Sequence, residues 1–361
     1  MQRRKKPIIL VSEAGGVLTR NFIDSLALCD EKYEFVGISS NPYELELSGL
    51  KCKYLVPRAT DPKFIPLLRR IINKHKPDLF HSQHDMVIKV VSEHREMLGV
   101  KCFLPTREAI RNCVNKFFSN KIWSDAGLKV PKSMMLNNYG DLKKAFKELK
   151  KPLWLRANEG GGGYGALRAD SLEFAKQWID YFNGWGIFSI SEYIGRDSTT
   201  WSSIWYQGEL IVAQGRKRLG WLFADRTLSG VTGITGVGMT FADNDIDSQA
   251  IGAIKAIDKC PHGIFSVDFT LDKNGDSFLT EINIGRFFTT HNFFAHAGLN
   301  MAKIYVDLAL TGKTIDINKK LNPLPNNLLW IRGMDIAPKL VSLSKIRRTE
   351  NYLAREIKKI R

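Results

Sequence analysis

Ile264-Phe-Ser-Val-Asp268-Phe-Thr-Leu271, Asp272-Lys-Asn-Gly-Asp276 and Ser277-Phe-Leu-Thr-Glu281-Ile-Asn283 follow one another without a break. The outer segments alternate with period two and the middle one carries Asn-Gly turn chemistry, so the stretch predicts a β-hairpin. On its first strand Phe265, Val267, Phe269 and Leu271 share a face, leaving Asp268 on the other with Ser266 and Thr270. On its second strand Leu279, Glu281 and Asn283 share a face, which sets two oxygen-bearing groups two residues apart. Asp268, Glu281 and Asn283 form a candidate set for a hard cation such as Mg²⁺, which keeps phosphate oxygens and waters beside one or two carboxylates. The same alternation also describes a solvated sheet face. A calcium loop at Asp272 to Asp276 is excluded, because its glycine falls two positions early.

Working outward, Gly285 and Arg286 follow the hairpin, and a guanidinium beside a metal suits a transferring phosphoryl group. Upstream, Gly160-Gly-Gly-Gly163 follows the buried strand Pro152-Leu-Trp-Leu-Arg156. Consecutive glycines expose backbone N–H groups as phosphate-cradling loops require, although a flexible linker has the same composition. No Gly-Lys-Ser/Thr follows, so this is not a Walker A loop. Phe188 to Ile194 reads as a strand carrying Glu192 at its end, and with Asp197 it offers carboxylates for an adenine amino group and a ribose hydroxyl.

The first hundred residues alternate strand and helix patterns: Pro7 to Ser12, Phe22 to Cys29, Phe35 to Ile38, Phe64 to Lys74 and Pro77 to Phe80. That is the rhythm of a parallel sheet. The turn Ser12-Glu-Ala-Gly-Gly16 lacks the full G-x-G-x-x-G spacing and does not specify NAD. A helical stretch from Pro105 leads to Pro131, helices are expected at Asp141 to Lys150, Phe174 to Phe182 and Leu299 to Leu310, and Ala213 to Phe241 reads as loop. The expected division is a Rossmann-like domain over 1–104, a second domain over 105–315 with a small subdomain near 130–195 and another at 196–315, and a basic extension over 316–361. The fold class is mixed α/β and α+β.

The chain has 361 residues, 44% of them hydrophobic, enough to bury a large core. No apolar run approaches the roughly 20 residues of a membrane-spanning helix, and Met1 to Pro7 leads into too short a run for a signal peptide, so a soluble, cytoplasmic protein without membrane partners is expected. Five cysteines without a CxxC pair suggest reduced thiols. His81, His84, His291 and His296 sit beside apolar residues and read as satisfied structural side chains. Much of the net charge of +16 lies in Arg3 to Lys6 and in Lys339 to Arg361, which read as solvated ends and not as a nucleic-acid site.

Taken in order, these pieces resemble the ATP-grasp superfamily over roughly Pro7 to Lys313, and most closely the carboxylate-amine ligase branch that looks like the carbamoyl-phosphate synthase large subunit. Val11-Ser-Glu-Ala-Gly-Gly16, Gly37 to Pro42, His84-Asp85, Leu279 to Asn283 and Ala297 to Ala302 carry the likeness. Arg286 departs from it by lying one position late. The resemblance implies Lys116 and Arg156 on ATP phosphates, Gly160, Gly161, Gly162 and Gly163 as a lid, and Glu192, Tyr193, Ile194 and Asp197 around adenine and ribose. Asp268, Glu281 and Asn283 would hold Mg²⁺, or Mn²⁺, while Arg156 and Arg286 offset charge on the moving phosphoryl group. It further implies an ADP-forming carbon–nitrogen ligase, in which a small carboxylate becomes an acyl phosphate that an amine displaces. The basic segment with Arg216, Arg226, Ser229 and Thr232 is a candidate carboxylate site or a plain surface loop. A homodimer stays open. Two rivals remain: phosphorylation of a carboxylate or carbamate without ligation, and an ATP-switched binder acting through the basic C-terminus.

Overall fold

The computed structural model describes residues 6–313, 317–334, 339–348 and 350–351. Arg3 to Lys5 and the basic residues Arg355 to Arg361 lie outside the described residues. Three sheets organise the chain. The first contains β1 (Ile8–Ser12), β2 (Glu34–Ser39), β3 (Cys52–Leu55), β4 (Leu79–His81) and β5 (Lys101–Cys102), all parallel, in the order β3-β2-β1-β4-β5. Ile9, Leu10 and Val11 are fully buried because a central parallel strand is covered on both faces, and a continuous apolar run suits that position. The strand order reverses between β1 and β4, and the loops leaving their carboxyl ends diverge to form a crevice there.

The second sheet is antiparallel: β6 (Ser133–Met135), β7 (Leu153–Ala157), β8 (Leu167–Ala169) and β9 (Phe188–Glu192), in the order β6-β9-β7-β8. The helices Tyr139–Glu148 and Leu172–Tyr181 contribute Leu142, Ala145, Ala175 and Ile179 to the core it shares with Leu153, Leu155 and Ile190. Asn138 and Ser171 cap these helices through their side-chain oxygens, which accept from the backbone of Asp141 and Phe174.

The third sheet is the largest: β10 (Asp197–Tyr206), β11 (Glu209–Trp221), β12 (Thr235–Phe241), β13 (Gly263–Leu271), β14 (Ser277–Ile284), β15 (Leu328–Ile331) and β16 (Lys339–Ser342), in the order β14-β13-β10-β11-β12-β15-β16. β13 and β14 are the predicted hairpin, and Asp272 Oδ1 accepts from the backbone of Asn274 and Asp276 while Gly275 takes φ +88° in the turn. One apolar cluster runs from Leu10 and Ile38 through Ile88 and Trp123 to Trp201, Phe265 and Phe269, joining the first and third sheets. Among the described residues no helix is long and apolar enough to cross a membrane.

The reading of Ala213 to Phe241 as loop is corrected: its two ends are β11 and β12, and only the stretch between them is irregular. Charged Arg216, Lys217 and Arg218 hid the strand, since three consecutive cations and several glycines resemble surface. They are tolerated because β10 beside them is rich in buried hydroxyls, with Thr199, Thr200, Ser202 and Ser203 all at most 2% exposed.

Candidate active site

Register places Asp268 directly opposite Glu281, and a bulge immediately after Asp268 breaks the ladder there. Like charges facing across paired strands repel, so the pair needs a compensating cation or proton. Burial and then the Glu281 charge push the Asp268 carboxyl above its ordinary range. For Glu281 burial acts the same way, but Lys116, Arg156 and Arg286 outweigh it and hold the carboxyl low. Thr200 Oγ1 donates to Asp268 Oδ1, and Asn283 Nδ2 donates to Asp268 Oδ2 at 3.0 Å. The oxygen of Asn283 accepts from Arg286. Two mutually repelling, half-buried carboxylates with an amide oxygen alongside fit a hard divalent cation. Among the described residues no group of three or more His, Cys, Asp or Glu is arranged for a metal.

Arg286 reaches Asn283 although it lies one position late in sequence. Gly285 absorbs the extra residue at φ +70°, and the guanidinium turns back to donate through Nε and Nη2 to Asp85, with Nη2 at 3.0 Å from Oδ2. Around the carboxylates stand two further cations. Lys116 opens the helix Lys116–Asp125, which Asn115 caps, and its Nζ lies 2.6 Å from Gly160 O and 3.9 Å from Glu281. Arg156 on β7 donates to Thr280 O at 3.1 Å. Burial lowers the pKa of both.

The glycine run is a roof. Gly160, Gly162 and Gly163 take positive φ, and a Cβ on Gly233 would lie 2.7 Å from Gly162 Cα, so the loop rests on the segment 229–233. Beneath it a cavity of about 320 Å³ is bounded by Trp154, Glu192, Tyr193 and Ile194 on the second sheet and by Phe269, Thr280 and Glu281 on the third. Lys116, Arg156, the four glycines and Ser229 also face it. Asp197 and Arg226 do not line it. Asp197 is the exposed first residue of β10 and alternation sends Ser198 inward instead, while Arg226 lies in a short turn over the Phe223 ring.

A second cavity of about 600 Å³ opens at the carboxyl ends of β1 and β4. One wall carries Glu13, Glu44, Gln83, His84 and Asp85, and the other carries Arg216, Arg218, Asn283 and Arg286. Lys116, Arg218, Asp268, Glu281 and the glycine loop belong to both cavities, so groups bound in each would meet there. Arg216 is 1% exposed, and among the described residues it has no carboxylate within ion-pair distance. Its Nη1 and Nη2 donate to Thr235 and Thr200 at 2.9 and 2.6 Å, and burial followed by Arg218 drives its pKa down. Thr232 lines this cavity with its hydroxyl turned to Leu222 O at 2.7 Å.

Sequence reasoning included Arg218, which lies 3.7 Å from the Trp221 ring, only as part of the basic segment and did not single it out, and it gave no role to Thr200, Glu13, Glu44 or Gln83. The signal for Arg218 was the spacing of two from Arg216, which puts both on one strand face. His81 and His291 are buried and packed against aromatic rings; Nδ1 of His291 lies 3.3 Å from Phe288 O, while among the described residues neither ring nitrogen of His81 nor Nε2 of His291 has a hydrogen-bond partner.

No family model matches the sequence, and no curated protein matches it. Solved structures match the fold. N5-Carboxyaminoimidazole synthetase from Staphylococcus aureus, complexed with ADP, gives a TM-score of 0.69 at 15% identity over 92% of this chain and 83% of that one. The biotin carboxylase domain dimer of Hydrogenobacter thermophilus 2-oxoglutarate carboxylase, with MgADP, ADP and bicarbonate, gives 0.69 at 16% identity over 91% and 74%. L-amino acid ligase from Bacillus licheniformis gives 0.63 at 14% identity over 91% and 79%. The fold, a parallel five-stranded sheet joined to antiparallel sheets, is the ATP-grasp fold.

Proposed function

We propose that this chain is a cytoplasmic Mg-ATP-dependent carboxylate-amine ligase. The observation that carries the reading is the meeting of two cavities at Asp268 and Glu281, with Lys116, Arg156 and Arg286 gathered around them. The likeness to an amino acid ligase and to two enzymes of the same fold solved with ADP supports it.

ATP takes the smaller cavity. Trp154, Tyr193 and Ile194 face the base, Glu192 accepts from it, and the glycine loop with Lys116 and Arg156 holds the phosphates. Asp268, Glu281 and the Asn283 oxygen would hold a magnesium ion, for which manganese could substitute, and the ion when bound would offset phosphate charge. The acceptor occupies the larger cavity with its carboxylate toward Arg216, whose threonine partners fix the guanidinium. A carboxylate oxygen attacks the γ-phosphorus as the bond to the β-phosphate oxygen breaks, leaving ADP. Arg286, anchored by Asp85, neutralises charge on the phosphoryl group in flight. The amine lone pair then attacks the acyl carbon, phosphate departs with the bonding electrons, and the nitrogen loses its proton to water. Positioning and charge compensation provide the acceleration, so no side-chain nucleophile is required. All of these groups come from one chain, so the chemistry is compatible with a monomer and with a homodimer.

ADP release from Mg-ATP is the test, measured across a panel of carboxylates with and without amines. The expected result is carboxylate-dependent release that Glu281→Gln abolishes and an amide product that requires the amine. Release without any amine-dependent product would replace ligation by simple phosphorylation. ATP binding with no carboxylate response would favour a nucleotide-switched binder.

A further inference from the structure

We propose that the larger cavity selects an amino carboxylate, holding its ammonium between Glu13 and Glu44 while its carboxylate lies against Arg216. The inference rests on the ligase reading for the chemistry after binding, whereas the binding itself stands on separate observations.

The acidic end is built. Glu13 leaves β1 at φ +48°, a left-handed conformation that costs a side-chain-bearing residue energy and that collects at functional sites. Gly15 lets the helix Pro42–Leu47 close on this turn, since a Cβ there would lie 1.5 Å from Glu44 O. The two carboxylates thus share one wall, and burial followed by Glu44, against the opposing His84, raises the Glu13 pKa. Among the described residues neither has a Lys or Arg partner, and Ser39 Oγ at 3.4 Å is the contact Glu13 makes.

The same cavity carries buried donors that lack acceptors, Arg216 on the facing wall and Gln83 on the wall of the two carboxylates. Arg216 is 1% and Gln83 2% exposed, and both line the cavity. Among the described residues Arg216 Nε and Gln83 Nε2 have no hydrogen-bond partner, although Gln83 Oε1 accepts from Phe287 N at 2.9 Å and Arg216 lies over the Phe288 ring at 4.9 Å. Buried donors left unpaired call for an acceptor, and two carboxylates on one wall with only the His84 ring as counter-charge call for a donor. A ligand bearing an ammonium and a carboxylate completes both ends at once.

Calorimetric binding to the full chain in the presence of Mg-ADP tests this, using the ordinary α-amino acids and β-alanine as probes, each compared with its des-amino acid. At least one amino carboxylate should bind, its des-amino analogue should bind roughly ten- to a hundredfold more weakly, and Glu13→Gln and Glu44→Gln should each remove that preference. ADP binding reports that each variant is folded. Equal binding of the des-amino acid, an unchanged preference in both variants, or no binding by any probe would overturn the proposal. ADP release measured in parallel separates the two readings. Selective binding without release leaves this site standing and sinks the ligase, and release driven equally by des-amino acids does the reverse.

Discussion

Arg286 on the segment after β14 is tied to Asp85 at the start of the helix after β4, so the residue expected to face the moving phosphoryl group is held by the neighbouring sheet. Burial pushes the Asp85 carboxyl up, but the charge and hydrogen bonds of Arg286 outweigh it and keep it low. Both side chains are less than one-third exposed, and removing one partner of such a pair leaves the other charge uncompensated. Asp85→Asn should destabilise the protein by about 2–4 kcal/mol in denaturant unfolding and lower kcat, with ATP affinity kept. An unchanged kcat would mean that Arg286 orients itself without Asp85.

The Asp268–Glu281 pair predicts how metal and proton compete. A carboxyl raised in the fold binds its proton more tightly there than in the unfolded chain. The metal-free protein should therefore lose stability as pH rises from the ordinary carboxylate range through the raised Asp268 pKa. Mg²⁺ with ADP should reverse the loss, raising stability by about 2.7 kcal/mol at a hundredfold excess over Kd, and Asp268→Asn should remove that increment. Thermal midpoints across pH, with and without metal, decide it. A magnesium effect that persists in the variant would move the ion away from this hairpin.

The hairpin and the parallel sheet were legible because their patterns are local: Val267 and Phe269 alternate with Asp268, and Ile8 to Val11 runs apolar through a two-sided core. Arg216 shows where legibility ends. A buried arginine on a central strand is readable only once Thr200 and Thr235 are known to lie beside it, and those contacts join residues 16 and 19 positions away. Asp197 lies at the exposed first position of β10, outside the lining of the smaller cavity, and the local pattern around it does not record which way that position faces. Glu13, Glu44 and Gln83 come together only through the order of the parallel strands, which no short window of sequence records.

Arg216 is a charge kept in the interior at a cost. Its guanidinium is held by hydroxyls, with Asp268 reached only through Thr200 and no ion pair among the described residues, and an apolar side chain of similar length would escape the desolvation penalty. Arg216→Met should leave stability unchanged or raise it by about 1 kcal/mol, while carboxylate-stimulated ADP release falls at least about tenfold through the KM of the carboxylate. Unfolding curves and steady-state kinetics on one preparation check both. Marked destabilisation would make Arg216 a structural residue.

His81 and His291 give the fold an acid limit. His81 stacks on Phe22 at 4.0 Å between centroids, and His291 stacks on Phe287 at 4.7 Å. Burial lowers both pKa values to about 3, His291 adding to the effect on His81. In the unfolded chain both titrate near the ordinary value of 6.5, so below that pH the unfolded state binds protons that the fold refuses. Stability should be constant above pH 7 and fall below 6.5, by roughly 2 kcal/mol per histidine at pH 5. His81→Phe, which keeps the stacked ring and removes the titration, should halve the decline in unfolding free energy between pH 7.5 and 5. An unchanged slope would assign acid sensitivity to other groups.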